Sequence, residues 1–176
     1  MNVNMAHPLV EQLRFTRNEF RRALAGVSDE DACKRLLPMN CISWTVGHLA
    51  WQEQRYWLTG MQQQTPLPQL NSQFGWGRPA STPTLNEVWP MWNAIIEAAD
   101  PFLDTITNDM LLSDVSFNSV SGDGTWTTSA GNLMHRVIYH YWYHTGECMA
   151  IRQMLGHANL PDFVGDIDTE APFKLA

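Results

Sequence analysis

Three histidines of this 176-residue chain have the spacing that predicts a metal site. His140 and His144 are four residues apart, and side chains four apart on an α-helix share one face, with Cβ atoms about 5–6 Å apart. Both imidazoles can then reach one cation, because bonds from zinc to nitrogen are only about 2.0–2.1 Å long. His48 is the only histidine of another predicted helix, on an otherwise apolar face. We therefore predict that His48, His140 and His144 bind one divalent metal.

The chemistry expected of such a site follows from its ligand set. Three histidine ligands leave a fourth position for water or substrate, as in catalytic rather than structural zinc sites. Water in that position would have its pKa lowered toward about 7, and a thiol would bind as the thiolate. No glutamate follows His140 directly, so the general base of the H-E-x-x-H metalloproteases is missing. Each histidine taken alone also fits a core residue satisfied by a hydrogen bond.

Glu147 is the candidate catalytic residue because it lies three residues after His144, on a neighbouring face of the same helix. A carboxylate in this position could orient a metal ligand or act as a base. A solvated or helix-capping carboxylate is the structural alternative.

The remaining histidines and the cysteines are not expected to join the site. His135 lies five residues before His140, about 140° around the helix, and so falls off the metal face. His7 and His157 lie at or beyond predicted helix ends, so all three are expected at the surface or as caps. The cysteines contain no C-x-x-C pair and are expected to be small buried thiols: Cys33, Cys41 and Cys148.

Aromatic side chains surround the histidines in sequence, and they could form either a substrate pocket or the core. At helical spacing the core is the commoner use, and we favour it for most of them. Two tyrosines flank the ligands in sequence without sharing their face. The residues concerned are Trp44, Trp51, Trp57, Tyr139, Trp142 and Tyr143.

Apolar periodicity predicts four main helices that would position these residues. They run from Leu9 to Leu24, from a cap at Asn40 or Ser43 to about Leu58, from the Thr84 capping box to about Ile106, and from about Ser129 to Leu155. A short helical turn is expected after Ser28, and glycines 26, 60 and 156 are expected to end helices. The result is an all-α fold, a single-domain four-helix bundle over residues 1–176.

Two connections and two prolines modify this bundle. Residues 61–83 are rich in proline and predict an irregular crossover, long enough to let the second and third helices run parallel. Residues 114–127 alternate weakly around Gly122-Asp-Gly and predict a small hairpin or an ordered loop. Pro90 and Pro101 fall inside the third helix and predict a kink or break near each.

Composition excludes several classes of function. A formal charge of -7 and the lack of a Lys/Arg cluster disfavour nucleic-acid binding. No stretch approaches the about 20 apolar residues that span a bilayer, and the first residues do not have the pattern of a signal peptide, so no membrane association and a cytoplasmic location are expected.

Two segments resemble the DinB/YfiT-like metalloenzyme family, the DinB superfamily. They are Ile42-Ser-Trp-Thr-Val-Gly-His48-Leu-Ala and His140-Tyr-Trp-Tyr-His144-Thr-Gly-Glu147, and the order of elements matches as well. The resemblance implies a four-helix bundle of up-down-down-up topology with a three-histidine site for zinc, nickel or iron, on His48, His140 and His144. Members include S-transferases that use a low-molecular-weight thiol, bacillithiol, and a mycothiol-dependent isomerase, and members are often homodimers.

One departure from the family bears on function. Many members read His-Arg-Gly-Gln where this chain has His144-Thr-Gly-Glu147, so Thr145 replaces a positive charge and Glu147 adds a carboxylate. The leading hypothesis is a metal-dependent enzyme acting on a small-molecule substrate, either a thiol-dependent S-transferase or a small-molecule hydrolase. The alternative is a non-catalytic metal-binding or stress-response protein that forms a dimer.

Overall fold

A computed structural model describes residues 6–118, 124–162 and 164–175 of the chain. The fold is mainly helical, with one small antiparallel sheet. In the described ranges the helices are α1 (Pro8–Ala23), α2 (Asp29–Cys33), α3 (Ile42–Glu53), α4 (Leu70–Gln73), α5 (Leu85–Leu103), α6 (Asn108–Leu112), α7 (Ala130–Met154) and α8 (Ile167–Glu170), and the strands are β1 (Asp114–Asn118) and β2 (Thr125–Ser129).

The four long helices correspond to the four predicted ones, and their packing brings two of them together at the histidines. α1 packs against α7, and α3 packs against both α5 and α7. Gly26 and Gly156 follow α1 and α7 with positive φ angles of 75° and 81°, as expected of residues that end helices. The short helices α4, α6 and α8 were not predicted, because four or five residues carry too little periodicity to be recognised.

The second predicted helix differs from its prediction at both ends. Its N-cap is Cys41 rather than Asn40 or Ser43, and no side-chain hydrogen bond caps it. Cys41 is fully buried, so packing rather than capping chemistry sets this end. Beyond α3 the chain continues as a π-helical turn, Gln54–Gly60, so Gly60 lies within the helical segment. The ring of Phe117 occupies the space where a Cβ of Gly60 would project, which requires glycine there.

The prolines do not interrupt the third predicted helix. α5 is continuous from Leu85 to Leu103 with Pro90 and Pro101 inside it, and Thr84 and Glu87 form the predicted capping box. The helix is therefore not broken at either proline, so the predicted break was wrong, and the alternative of a kink stays a prediction. Both prolines are exposed, so water can bond the carbonyl that each one leaves without a donor.

The two predicted connections have the expected character. Residues 63–83 are irregular apart from α4, while residues 61–62 still continue the preceding helix, and this crossover supplies contacts to the histidine region described below. β1 and β2 form the predicted hairpin, with Phe117 opposite Trp126. Gly122 and Asp123 of the predicted turn lie outside the described residues.

A buried ionic network fixes α1, α3, α5 and α7 to one another. Arg17 donates to both carboxylate oxygens of Glu53, at 2.7 and 2.5 Å, and to Asp100 at 2.7 Å. The hydroxyl of Tyr141 donates to Glu53 at 2.9 Å and accepts from the Trp92 indole at 2.7 Å. The network places Glu53 of α3 against Tyr141 of α7, beside the histidines.

Among the described residues, no helix has the length and apolar character needed to cross a membrane.

Candidate metal centre

The three predicted histidines come together between α3 and α7. His48 lies on α3, while His140 and His144 lie one turn apart on α7. One ring nitrogen of each lies within 4.8 Å of a ring nitrogen of both others. The ring centroid of His48 lies 5.0 Å from that of His140 and 5.3 Å from that of His144. The sequence spacing therefore identified a real cluster of imidazoles.

Each imidazole is oriented by a hydrogen bond from its Nδ1 atom. His48 donates to the backbone carbonyl of Phe74 in the crossover at 2.7 Å. His140 donates to the side-chain oxygen of Gln52 on α3 at 2.7 Å. His144 donates to Glu147, one turn further along α7, at 2.6 Å. A proton on each Nδ1 leaves the lone pair on Nε2, which is the tautomer that binds a metal through Nε2.

The Nε2 atoms of His140 and His144 face each other at 2.9 Å. With both Nδ1 atoms acting as donors, this contact brings two lone pairs together, which is unfavourable without a shared cation, either a proton or a metal ion. Three nitrogens bonded tetrahedrally at about 2.0–2.1 Å would lie roughly 3.4 Å apart. That spacing falls between the 2.9 Å contact and the 4.8 Å limit of the cluster, so the residues fit a divalent ion after small ring movements.

Two tryptophans hold the ring of His48 from both sides. Trp44 stacks on it at 4.8 Å and 15°, and Trp51 stacks at 5.2 Å and 23°. They precede and follow His48 by four and three residues, so the helix itself places all three rings on one face. This packing restricts rotation of the imidazole and keeps Nε2 directed at the other histidines.

Burial keeps two histidines of the cluster, His48 and His140, in the neutral form that binds metal. Desolvation lowers the pKa of His48 to about 4, against a smaller opposing effect of the Phe74 carbonyl. Desolvation, together with the neighbouring His144 and His48, lowers the pKa of His140 to about 2. Protons therefore compete weakly with a metal ion for these two nitrogens near neutral pH.

Glu147 contacts a histidine directly, through its bond to the Nδ1 of His144. That hydrogen bond is the main cause that lowers the pKa of Glu147, and a hydrogen bond with Tyr143 lowers it further. The carboxylate is thus ionised and already engaged with an imidazole. The geometry favours an orienting role over that of a free base, because the carboxylate oxygen Oε2 is occupied by the ring.

A cavity of about 520 Å³ opens onto the three histidines. Its lining includes Trp44 and Glu147 from the helices, together with Trp76 and Arg78 from the crossover. Tyr143 lines it as well, although the sequence had placed this residue off the ligand face. A small molecule can therefore reach the nitrogen cluster from solvent.

A family model for the DinB superfamily matches residues 12–148 of the chain. The chain belongs to the DinB superfamily. The matched span contains His48, His140, His144 and Glu147. No protein with a curated description matches the chain.

The other residues that sequence had singled out in this DinB-superfamily chain lie away from the cluster. His135 is exposed and stacks on Tyr139, and His7 caps α1 by accepting from the amide of Leu9 at 3.1 Å. His157 follows α7 and accepts from Arg152 at 3.1 Å. His135 and His7 are thus a surface residue and a cap as predicted, whereas His157 is half-buried and also contacts Asp31 at 3.2 Å. Of the three cysteines, two are fully buried thiols as expected, while Cys33 is half-buried.

The aromatic residues divide between core and cavity. Trp57 is fully buried in the core, whereas Trp44 and Trp51 are buried beside His48. Tyr139 and Tyr143 are exposed, at 65% and 63%. Most of the predicted core assignments hold for the tryptophans, and the tyrosines are surface residues.

Two features of the site were missed from the sequence. Gln52 and the Phe74 carbonyl orient histidines, but a backbone carbonyl has no sequence signature, and the position of a glutamine in the sequence does not indicate such a role. Thr145 stands where many family members have a positive charge. Its hydroxyl donates to the Tyr141 carbonyl of the same helix, and the positive charge at the cavity comes from Arg78 instead.

Proposed function

We propose that this DinB-superfamily chain is a metal-dependent enzyme in which His48, His140 and His144 hold one divalent ion, namely zinc, nickel or iron. The proposal depends mainly on one observation. All three Nδ1 atoms donate to acceptors, so three Nε2 lone pairs converge on one point beneath a cavity. Histidines that served only in packing would not all need to donate from Nδ1 and direct Nε2 toward one another.

A divalent ion bound there would supply a Lewis acid that lowers the pKa of a thiol or water in its open position. The chain's own residues prepare that position. Trp44 and Trp51 fix the plane of His48, and Gln52 fixes His140. Glu147 accepts a hydrogen bond from the Nδ1 of His144 and thereby keeps the Nε2 of His144 free for the ion.

The reaction class that this arrangement supports is attack of an activated thiol or water on a small electrophile. The first makes the protein a thiol-dependent S-transferase, and the second makes it a small-molecule hydrolase. The cavity of about 520 Å³ is of the size that small-molecule sites have, and it is reached from solvent without disturbing the core.

The proposal extends to the organisation of the protein. We place the single domain over residues 1–176, with α1, α3, α5 and α7 as a bundle of up-down-down-up topology. We further propose a cytoplasmic homodimer without a nucleic-acid or membrane partner. The net charge of -7 supports the exclusion of nucleic acid.

Cobalt substitution tests whether the site has an open position. The visible spectrum of the cobalt protein should change when azide or mercaptoethanol is added, because either ligand enters the coordination sphere. His135→Ala, on the same helix but away from the cluster, should respond like the wild type. An unchanged spectrum with both ligands would show a closed site and leave only a non-catalytic metal-binding protein.

A further inference from the structure

A second cavity, of about 500 Å³, lies beside the histidine cavity. It is formed by the π-helical turn after α3, the crossover and the hairpin, and its lining includes Arg55 and Arg78. We call it the arginine groove. Trp76 and Arg78 line both cavities, so the groove and the histidine site adjoin at these two side chains.

The arginine groove is cationic in a chain whose net charge is negative. Within the part of the chain that the structure describes, no aspartate or glutamate lines it. Arg55 is half-buried and forms no ion pair with any described residue, and burial accordingly lowers its pKa. By contrast, Arg22 has its pKa raised by its hydrogen bond to Glu19. A desolvated guanidinium without a carboxylate is costly unless a ligand supplies one.

The guanidinium of Arg55 packs against aromatic rings, so the N–H groups at its edges stay available for hydrogen bonds. Its central carbon lies 5.7 Å from the ring of Trp51 and 5.8 Å from that of Phe117. Arg55 has five N–H donors and uses one of them, on Nη2, to donate to the Asn118 carbonyl. Arg78 uses its Nε to donate to the Asn71 carbonyl. The remaining donors have no partner among the described residues. Such a planar fork matches a carboxylate in bidentate fashion.

Trp51 connects the arginine groove to the metal site. Its indole lies 5.2 Å from the ring of His48 and 5.7 Å from the Arg55 guanidinium, so the two groups are no more than about 11 Å apart. One small molecule can therefore contact both. The indole and the rings of Trp76 and Phe117 supply apolar surface between the charged end and the reactive end.

We propose that the arginine groove binds the carboxylate of an elongated small molecule whose other end reaches the three histidines, with Arg55 and Arg78 as the recognition residues. This inference rests on the proposed function, because it assigns the substrate class of that site. The carboxylate belongs either to the thiol or to the electrophile that the thiol or water attacks.

Matched thiols on the cobalt protein measure the contribution of the carboxylate. Mercaptooctanoate and mercaptooctanol have the same chain and differ in the terminal group. The carboxylate should bind at least about ten-fold more tightly, as read from the cobalt spectrum, because charge-assisted hydrogen bonds to the arginines are stronger than the neutral bonds that a hydroxyl can form. Arg55→Met should abolish that preference while keeping an apolar stem against Trp51. Arg136→Met, which removes an arginine stacked 5.1 Å from Trp126 outside the groove, should keep it.

A second arm of the experiment does not depend on the metal and decides whether the carboxylate belongs to the thiol or to the electrophile. Suberate and octanediol are titrated calorimetrically into the metal-free protein, and suberate should bind more tightly until Arg55 or the exposed Arg78 is replaced by Met. A preference seen in both arms assigns the groove to the thiol, and one seen only with suberate assigns it to the electrophile. If neither these thiols nor azide changes the cobalt spectrum, the proposed function is contradicted, while suberate still tests the groove. The absence of any arginine-dependent preference in both arms overturns the groove itself.

Discussion

Replacing Gln52 by Leu isolates the part of the site that orients a ligand without binding the metal. The Gln52 oxygen accepts from the Nδ1 of His140 at 2.7 Å, and this bond keeps the Nε2 lone pair of His140 free. In Gln52→Leu the imidazole can move its proton to Nε2 and donate it across the 2.9 Å contact to His144. Metal binding must then reverse that tautomer and leave a half-buried Nδ1 donor without a partner.

The expected effect of Gln52→Leu is a selective loss of metal affinity. Removing a partner of this kind costs about 10–100-fold in affinity, or roughly 1.4–2.7 kcal/mol. The metal-free protein should keep nearly the same unfolding temperature, because the tautomer change restores its hydrogen bond. Affinity is measured by competition with a chromophoric chelator, and unfolding of the metal-free protein by circular dichroism.

Two further variants sharpen the Gln52 experiment. Gln52→Glu should bind metal at least as tightly as the wild type, since a carboxylate accepts the same bond more strongly. Gln153→Leu removes an exposed glutamine of α7 and should change nothing. If Gln52→Leu bound zinc within two-fold of the wild type, Gln52 would not set the orientation of His140, and the tautomer reasoning would be refuted.

Two other predictions concern stability. Arg17→Met leaves Glu53 buried without its cation and should lower the free energy of unfolding, measured in urea, by about 3–5 kcal/mol. The double variant Arg17→Met with Glu53→Leu should recover most of this loss. A loss below about 1 kcal/mol for the single variant would disprove the prediction. Because burial lowers the pKa of His48 to about 4, this histidine binds a proton at a higher pH in the unfolded chain than in the folded one. The contribution of His48 to the stability of the metal-free protein is therefore complete above about pH 6.5 and should fall by about 3 kcal/mol toward pH 4, and His140, whose pKa is lower still, adds to the total loss. Urea denaturation at pH 7 and 4.5 should show a smaller loss for His48→Phe than for the wild type.

The sequence could predict those parts of the site that follow from local helical geometry. His140 and His144 share a face because they are four residues apart, and Trp44 and Trp51 flank His48 for the same reason. The contact between α3 and α7 is tertiary, so spacing within one helix could not join His48 to the pair; its place on the apolar face of another predicted helix and the resemblance to a family did so. The Phe74 carbonyl could not be predicted, because any residue offers the same backbone acceptor.

The fold was predicted least well where local rules compete with packing. The apolar periodicity that predicted a helix to about Leu58 does not distinguish an α-helix from the π-helical turn Gln54–Gly60. Pro90 and Pro101 suggested breaks, but their exposed positions let water bond the freed carbonyls. Cys41 begins α3 because it is buried, although Asn40 and Ser43 have better capping side chains.

The central claim is that His48, His140 and His144 hold one metal ion, and elemental analysis of purified protein tests it most directly. The wild type and His135→Ala are compared with His140→Ala, a residue of the same helix within the cluster. The wild type and His135→Ala should each contain close to one divalent ion per chain, and His140→Ala should lose most of it. Equal metal content in all three proteins would contradict the claim.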